Sequence, residues 1–164
     1  MHYVAVLGSA ECSSEVYEIA RAVGQKLAAA GVVVICGGRG GVMEGVARGA
    51  TEKGGTVIGL LPGTSRCEGN PFLTYSIPTA MGNARNAIIA QSCDVAIAIA
   101  GGFGTLSEIG LCLKAHKPVV GLGTWDVSRK GQPPAGFFPA RDPQDAVAKA
   151  LELIGSGGGP QPCL

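Results

Sequence analysis

The stretch Gly101-Gly102-Phe103-Gly104-Thr105-Leu106-Ser107-Glu108 sets glycines, a hydroxyl and a carboxylate directly after an apolar run, Val95 to Ile99. Glycine accepts positive φ and carries no Cβ, so a ligand oxygen can lie against main-chain N–H groups where a following helix begins. A phosphate suits such a cradle. Thr105 adds a hydroxyl donor, and Glu108 sets a carboxylate beside the anion site, which a purely binding loop does not need. Gly8-Ser9 and Gly37 to Gly41 close two other apolar runs in the same way. The candidate phosphate contacts are therefore Gly8, Ser9, Gly38, Gly40, Gly41, Gly101, Gly102, Gly104 and Thr105. The first turn lacks the GxGxxG fingerprint and no Gly-Lys-Ser/Thr occurs, so NAD binding and P-loop nucleotide hydrolysis are not expected. Ser13, Ser14 and Ser65 have no recognisable base. His116 precedes Lys117-Pro118 at a helix end, where an imidazole serves the terminal carbonyls.

The elements that must position these residues alternate along the chain. Tyr3 to Leu7 reads as a buried strand, and Ser13 or Ser14 as the cap of a helix with apolar positions Val16, Ile19, Ala20, Val23, Leu27 and Ala30, stopped at Gly31. Val32 to Cys36 is a second strand. Val42, Met43, Val46, Ala47 and Ala50 trace a helix closed by Gly54-Gly55, and Thr56 to Leu61 is a third strand. Thr64 to Pro71 reads as a loop, Phe72 to Ile77 as a short strand, and Met81 to Ser92 as a helix with Arg85 near its start. Asp94 leads into the strand Val95 to Ile99, followed by a helix from about Gly104 to Ala115 and a strand from Pro118 to Leu122. Gly123 to Pro139, with the single tryptophan Trp125, reads as irregular. Asp142 caps a last helix, with Pro143 in its first turn and a stripe ending at Ile154.

Near-continuous apolar strands alternating with helices imply a parallel sheet covered on both faces, a single doubly wound Rossmann-like α/β domain over residues 1–154. Residues 155–164, rich in glycine and proline, are expected to be a flexible tail. In such sheets ligands bind outside the carboxyl ends of the strands, where the strand order reverses, so the three small-residue turns are expected to share one crevice.

Composition narrows the partners. Thirteen basic against twelve acidic residues give a net charge of +1, with no basic footprint for nucleic acid and no membrane-surface patch. No apolar run reaches spanning length, and Met1-His2-Tyr3 enters a strand pattern without a targeting segment, so a cytoplasmic location is expected. The six cysteines lack CxxC or Cys/His spacing and read as reduced thiols, with no metal site.

Gly101 to Glu108 resembles the PGGxGTxxE motif of the Lonely Guy (LOG) family, long mislabelled as lysine decarboxylases, and Arg85 stands at that family's upstream arginine position. Gly37 to Met43 resembles its other glycine-rich turn. The resemblance extends to about Ile154 and implies a Rossmann-like fold assembled as a homodimer or homotetramer. LOG enzymes hydrolyse nucleoside 5′-monophosphates to free base and ribose 5-phosphate, and the resemblance would make Glu108 and Arg85 catalytic. Ala100 replaces the motif's proline, and Asn83-Ala84-Arg85-Asn86 replaces a His-x-Arg-Lys pattern. This variant is more similar to the branch containing molybdenum-cofactor carrier proteins, which implies binding of a phosphorylated small molecule, a nucleotide or the molybdenum cofactor, with no resident cofactor required. Two readings follow: a carrier or sensor of a phosphorylated ligand, and a phosphoribohydrolase.

Overall fold

The computed structural model describes residues 1–156. Its strands are β1 (Tyr3–Leu7), β2 (Val33–Cys36), β3 (Val57–Leu61), β4 (Tyr75–Pro78), β5 (Val95–Ile99), β6 (Val119–Leu122) and β7 (Phe137–Ala140). Its helices are α1 (Ser14–Ala29), α2 (Val42–Glu52), α3 (Asn86–Ser92), α4 (Phe103–Lys114) and α5 (Pro143–Gly155). All the strand pairs are parallel, in the order β4-β3-β2-β1-β5-β6-β7, so the order reverses between β1 and β5. The Rossmann-like α/β architecture read from the sequence is the one observed.

Side-chain alternation divides the core into two layers. Val4 and Val6 of β1, with Val95, Ile97 and Ile99 of β5, face α1, α2 and α5. Ala5 and Leu7, with Ala96 and Ala98, face α3 and α4. The alanines on this second face leave room for α3 and α4 to lie close to the sheet; α4 carries the acid of the candidate site and α3 begins just after its arginine. At the strand entrances, the Asp94 carboxylate accepts the Tyr3 N–H at 2.8 Å and the Asp94 N–H returns to the Tyr3 carbonyl at 2.9 Å, which sets β5 against β1.

The helix caps follow their local chemistry. Ser13 caps α1 by accepting from the Val16 N–H, and Gly31 takes a positive φ just past its end. Asp142 caps α5 by accepting from the Asp145 N–H, with Pro143 in the first turn. His116 closes α4 through its main chain, at φ 57 with its N–H on the Leu113 carbonyl.

Four segments differ from the sequence reading. The strand expected at Phe72–Ile77 lies at Tyr75–Pro78, because Phe72 and Leu73 turn inward onto the core after the Asn70 side chain accepts the Phe72 N–H. The loop Thr64–Pro71 contains a 3₁₀ turn, Arg66–Glu68, closed by a capping box between Ser65 and Glu68. The helix expected over Met81–Ser92 is a 3₁₀ turn, Gly82–Arg85, running into the shorter α3, with Arg85 at the junction. The segment expected to be irregular ends in β7, whose Pro139 is tolerated because β7 is an edge strand. Of the tail expected at 155–164, Gly155 ends α5 and Ser156 caps it; residues 157–164 lie outside the described residues.

Glycines let α1 and α2 pack backbone against backbone. A Cβ on Gly24 would fall on the Val46 carbonyl, and one on Gly49 on the Arg21 carbonyl. Alanine is worth about 1 kcal/mol more than glycine inside a helix, so this contact opposes intrinsic propensity. Gly49→Ala is expected to lower stability by about 1–3 kcal/mol through overpacking, measured by urea denaturation; an increase in stability would show that the two helices separate freely.

Candidate functional site

The site lies at the carboxyl ends of β1, β2 and β5, where the strand order reverses. Ser9 joins its two halves. Its carbonyl accepts the Val42 N–H at 3.0 Å, at the start of α2, and its hydroxyl accepts the Gly102 N–H at 3.0 Å, at the start of α4. Neither α2 nor α4 has a side-chain cap, unlike α1 and α5. Apart from the Val42 N–H, already on the Ser9 carbonyl, their first-turn amides therefore remain available to an anion, and the positive ends of both helix dipoles meet in the same crevice.

Beneath these termini is a cavity of about 280 Å³ lined by Gly8, Ser9, Ala10, Met43, Asn83, Arg85, Asn86, Gly104, Thr105 and Glu108. Of the residues singled out in the sequence, Gly8, Ser9, Arg85, Gly104, Thr105 and Glu108 meet here. Thr105 is only 2% exposed, tucked under Gly101, where a Cβ would overlap its side chain. Gly38, Gly40, Gly41, Gly101 and Gly102 do not line the cavity; they shape the turns around it. Gly41, at φ 59, lets α2 approach the Ser9 carbonyl, and Gly38 packs against Gly59, Leu61 and Leu73. Gly102 and Gly104 are bare of close neighbours, so the main chain there is open to a ligand.

Arg85 and Glu108 form the buried polar centre, 8% and 7% exposed. The Arg85 guanidinium donates to the Asn86 side-chain oxygen at 2.6 Å and to the Gly37 carbonyl at 3.3 Å, and lies 3.7 Å from the Glu108 carboxylate. Glycine at 37 lets the guanidinium lie against the turn, since a Cβ there would meet Arg85 and the Met43 sulfur unless both side chains shifted. The Arg85 Nε–H is buried without a partner. Burial pushes the Glu108 carboxyl up to about 7, with the Arg85 charge opposing the shift, while burial lowers Arg85. An acid poised there can give or accept a proton at neutral pH.

Sequence reasoning missed the residues that brace the glycine turn from outside. The Thr124 hydroxyl donates to the Ala100 carbonyl at 2.6 Å and the Trp125 indole N–H to the Gly102 carbonyl at 3.0 Å. A lone tryptophan in a glycine- and proline-rich segment was the available signal. Ala10, which lines the cavity, carried none, and Met43, which lines it too, reads in the sequence only as a helix-face residue at the end of the Gly37 to Met43 stretch. Among the described residues, no group of three or more His, Cys, Asp or Glu is placed to hold a metal ion, and no helix is long and apolar enough to cross a membrane.

This combination of a reversing parallel sheet, two uncapped helix N-termini and a buried Arg–Glu pair defines a Rossmann-like protein of the LOG-like kind. The SLOG cluster4 family model matches residues 1–147, and the chain belongs to that family. It is 47% identical over 119 residues to an uncharacterised protein of Archaeoglobus fulgidus, covering 73% of this chain and 78% of that protein. Two solved structures resemble it over nearly their whole length. The molybdenum cofactor binding protein of Rippkaea orientalis superposes with a TM-score of 0.85 at 32% identity, covering 93% of this chain and 97% of that one. The molybdenum cofactor carrier protein of Chlamydomonas reinhardtii gives 0.85 at 35% identity, covering 94% and 98%.

Two tests follow from this geometry. The Glu108 pKa is higher in the folded than in the unfolded chain, so its contribution to stability is complete below about 4.5 and is lost as pH rises through about 7. Wild-type stability should thus fall relative to Glu108→Gln across that window, by about 3 kcal/mol, in denaturant titrations at several pH values; parallel profiles would contradict a raised acid. Ala100 takes φ 45 and donates its N–H to the Leu122 carbonyl at 3.1 Å. Proline supplies neither that φ nor the donor, so Ala100→Pro, although it restores the LOG motif, should cost about 3 kcal/mol or more; a thermal melt matching wild type would refute the turn's conformation.

Proposed function

We propose that this protein binds a phosphorylated small molecule of nucleotide or pterin type in the β1–β5 crevice and acts as a carrier or sensor of the molybdenum-cofactor-carrier kind. The observation that carries the reading is a buried arginine, its Nε–H unpartnered, lining a cavity beneath two uncapped helix N-termini. Cationic and N–H donors without protein acceptors suit an anion, and the phosphate is held at Gly8-Ser9 and along the open main chain from Gly102 to Thr105, with the Thr105 hydroxyl and Arg85, while Gly38, Gly40, Gly41 and Gly101 shape the turns around it. The likeness to proteins described as binding or carrying the molybdenum cofactor supports that cargo. The metal then travels within the ligand, since among the described residues no group of three or more His, Cys, Asp or Glu is placed to hold it.

Assembly as a homodimer or homotetramer belongs to the same proposal. Tyr75, Ile77 and Met81 leave an exposed apolar group beyond the cover of α3 and α4, the kind of surface a second subunit buries.

A second reading, nucleoside 5′-monophosphate hydrolysis, draws on one observation, the Glu108 carboxyl raised to about 7 beside Arg85. In that role the ionised carboxylate accepts a proton from water as it attacks the anomeric carbon. The N-glycosidic bond breaks and the base departs, taking up the proton that Glu108 received from the water, while Arg85 stabilises the negative charge developing on the base. Incubation of the purified protein with AMP, GMP, CMP and UMP separates the two readings. The carrier reading expects phosphate-dependent binding by calorimetry, lost in Gly102→Val, without release of free base. Base release abolished by Glu108→Gln would replace it with the hydrolase, and absence of any phosphate-dependent binding would overturn both.

A further inference from the structure

Phe103 is 80% exposed, although a phenyl ring gains free energy by leaving water. It is the first residue of α4, flanked by Gly102 and Gly104 at the helix terminus that the phosphate reading uses. Its ring meets that of Trp125 at 5.4 Å between centroids and 31° between planes, a tilted contact between two aromatic side chains. Trp125 is in turn fixed by its indole N–H on the Gly102 carbonyl. Both rings therefore hang from the turn that carries the uncapped amides. Trp125 also lines a cavity of about 320 Å³ with Thr124, Val127, Pro133 and Phe137.

The helix terminus is marked as a ligand site by a second feature: Arg85, 8% exposed and with its Nε–H unpartnered, lines the same cavity as Gly104 and Thr105. An anion held at that terminus lies within a residue or two of an aromatic lip. A sugar phosphate alone would leave the lip bare. A phosphorylated ligand with a flat heteroaromatic ring, a purine or a pterin, matches both halves: its anion meets main-chain N–H groups and its π-face meets a phenyl face.

We propose that Phe103 and Trp125 form a stacking platform for the planar heteroaromatic ring of the ligand, so that ring recognition lies on the β5–β6 side of the crevice, outside the Arg85–Glu108 cavity. This rests on the phosphate-binding reading above and adds the ring as the feature that distinguishes the ligand class.

Trp125 is the single tryptophan of the chain, so its fluorescence reports on the platform directly. The whole protein is titrated with GMP and with ribose 5-phosphate, by fluorescence and by calorimetry. GMP is expected to quench Trp125 and to bind about tenfold more tightly than ribose 5-phosphate. Phe103→Ala, at an exposed position, should abolish that preference while leaving ribose 5-phosphate affinity within about twofold, and Phe103→Tyr should restore it. An unchanged GMP preference in Phe103→Ala overturns the platform. So does an equal loss for both ligands, or a change in oligomeric mass by light scattering that accounts for the effect, which would make Phe103 part of the cradle or of a subunit contact. Ribose 5-phosphate binding without any gain from the base overturns the platform alone. Absence of binding by either compound in the wild type overturns the phosphate reading and the platform with it.

Discussion

Ser9 takes an N–H from the start of α2 on its carbonyl and an N–H from the start of α4 on its hydroxyl, and the rest of the site depends on that double contact. It requires that β1 lie between β2 and β5, which the sheet order provides. It also requires that the turns approach closely. Gly8 leaves room for the Val42 side chain and Gly41 leaves room for the Ser9 carbonyl. Two helix N-termini that would repel one another are brought side by side, and the positive potential they create is left unmet by any side-chain cap. At α1 and α5, by contrast, Ser13 and Asp142 supply side-chain caps.

The same economy appears in the buried pair. Taking Arg85 and Glu108 out of water costs several kcal/mol per ion, and their 3.7 Å separation recovers only part of it. The imbalance shows in the raised Glu108 carboxyl and in the unpartnered Arg85 Nε–H. A fold optimised only for stability would fill this space with apolar side chains, as it does on both faces of the sheet nearby. Groups held in a partly satisfied state at the mouth of a parallel sheet are poised toward a ligand. Binding and bond cleavage both draw on that poise. They differ in whether the acid meets an anomeric carbon, which is a question of where the ring and sugar of the ligand come to rest.

Most of the strands and the long helices were legible because their signals are local. An apolar run bounded by glycine, a serine or aspartate ahead of a periodic stripe, and a proline in a first turn each act within a few residues. The departures arose where distant groups competed. Phe72 and Leu73 have strand-forming side chains, yet the core and the glycine turn at Gly38 draw them inward. The helix expected from Met81 is wound into a 3₁₀ turn, with Arg85 at its junction with α3 and on the Gly37 carbonyl. β7 becomes a strand only because β6 offers it an edge.

By itself the sequence determined the doubly wound parallel sheet, the glycine turns at strand ends and the residues Arg85, Thr105 and Glu108, since period, glycine placement and motif spacing are properties of a short stretch of chain. Tertiary structure alone decided which of those glycines face the cavity and which only let backbones approach, because a missing Cβ looks the same in both cases until its neighbours are known. It also decided that Trp125 braces the turn at Gly102 and meets Phe103, and that the Glu108 carboxyl is raised toward neutrality. These follow from burial and from contacts across more than twenty residues, which no local pattern encodes.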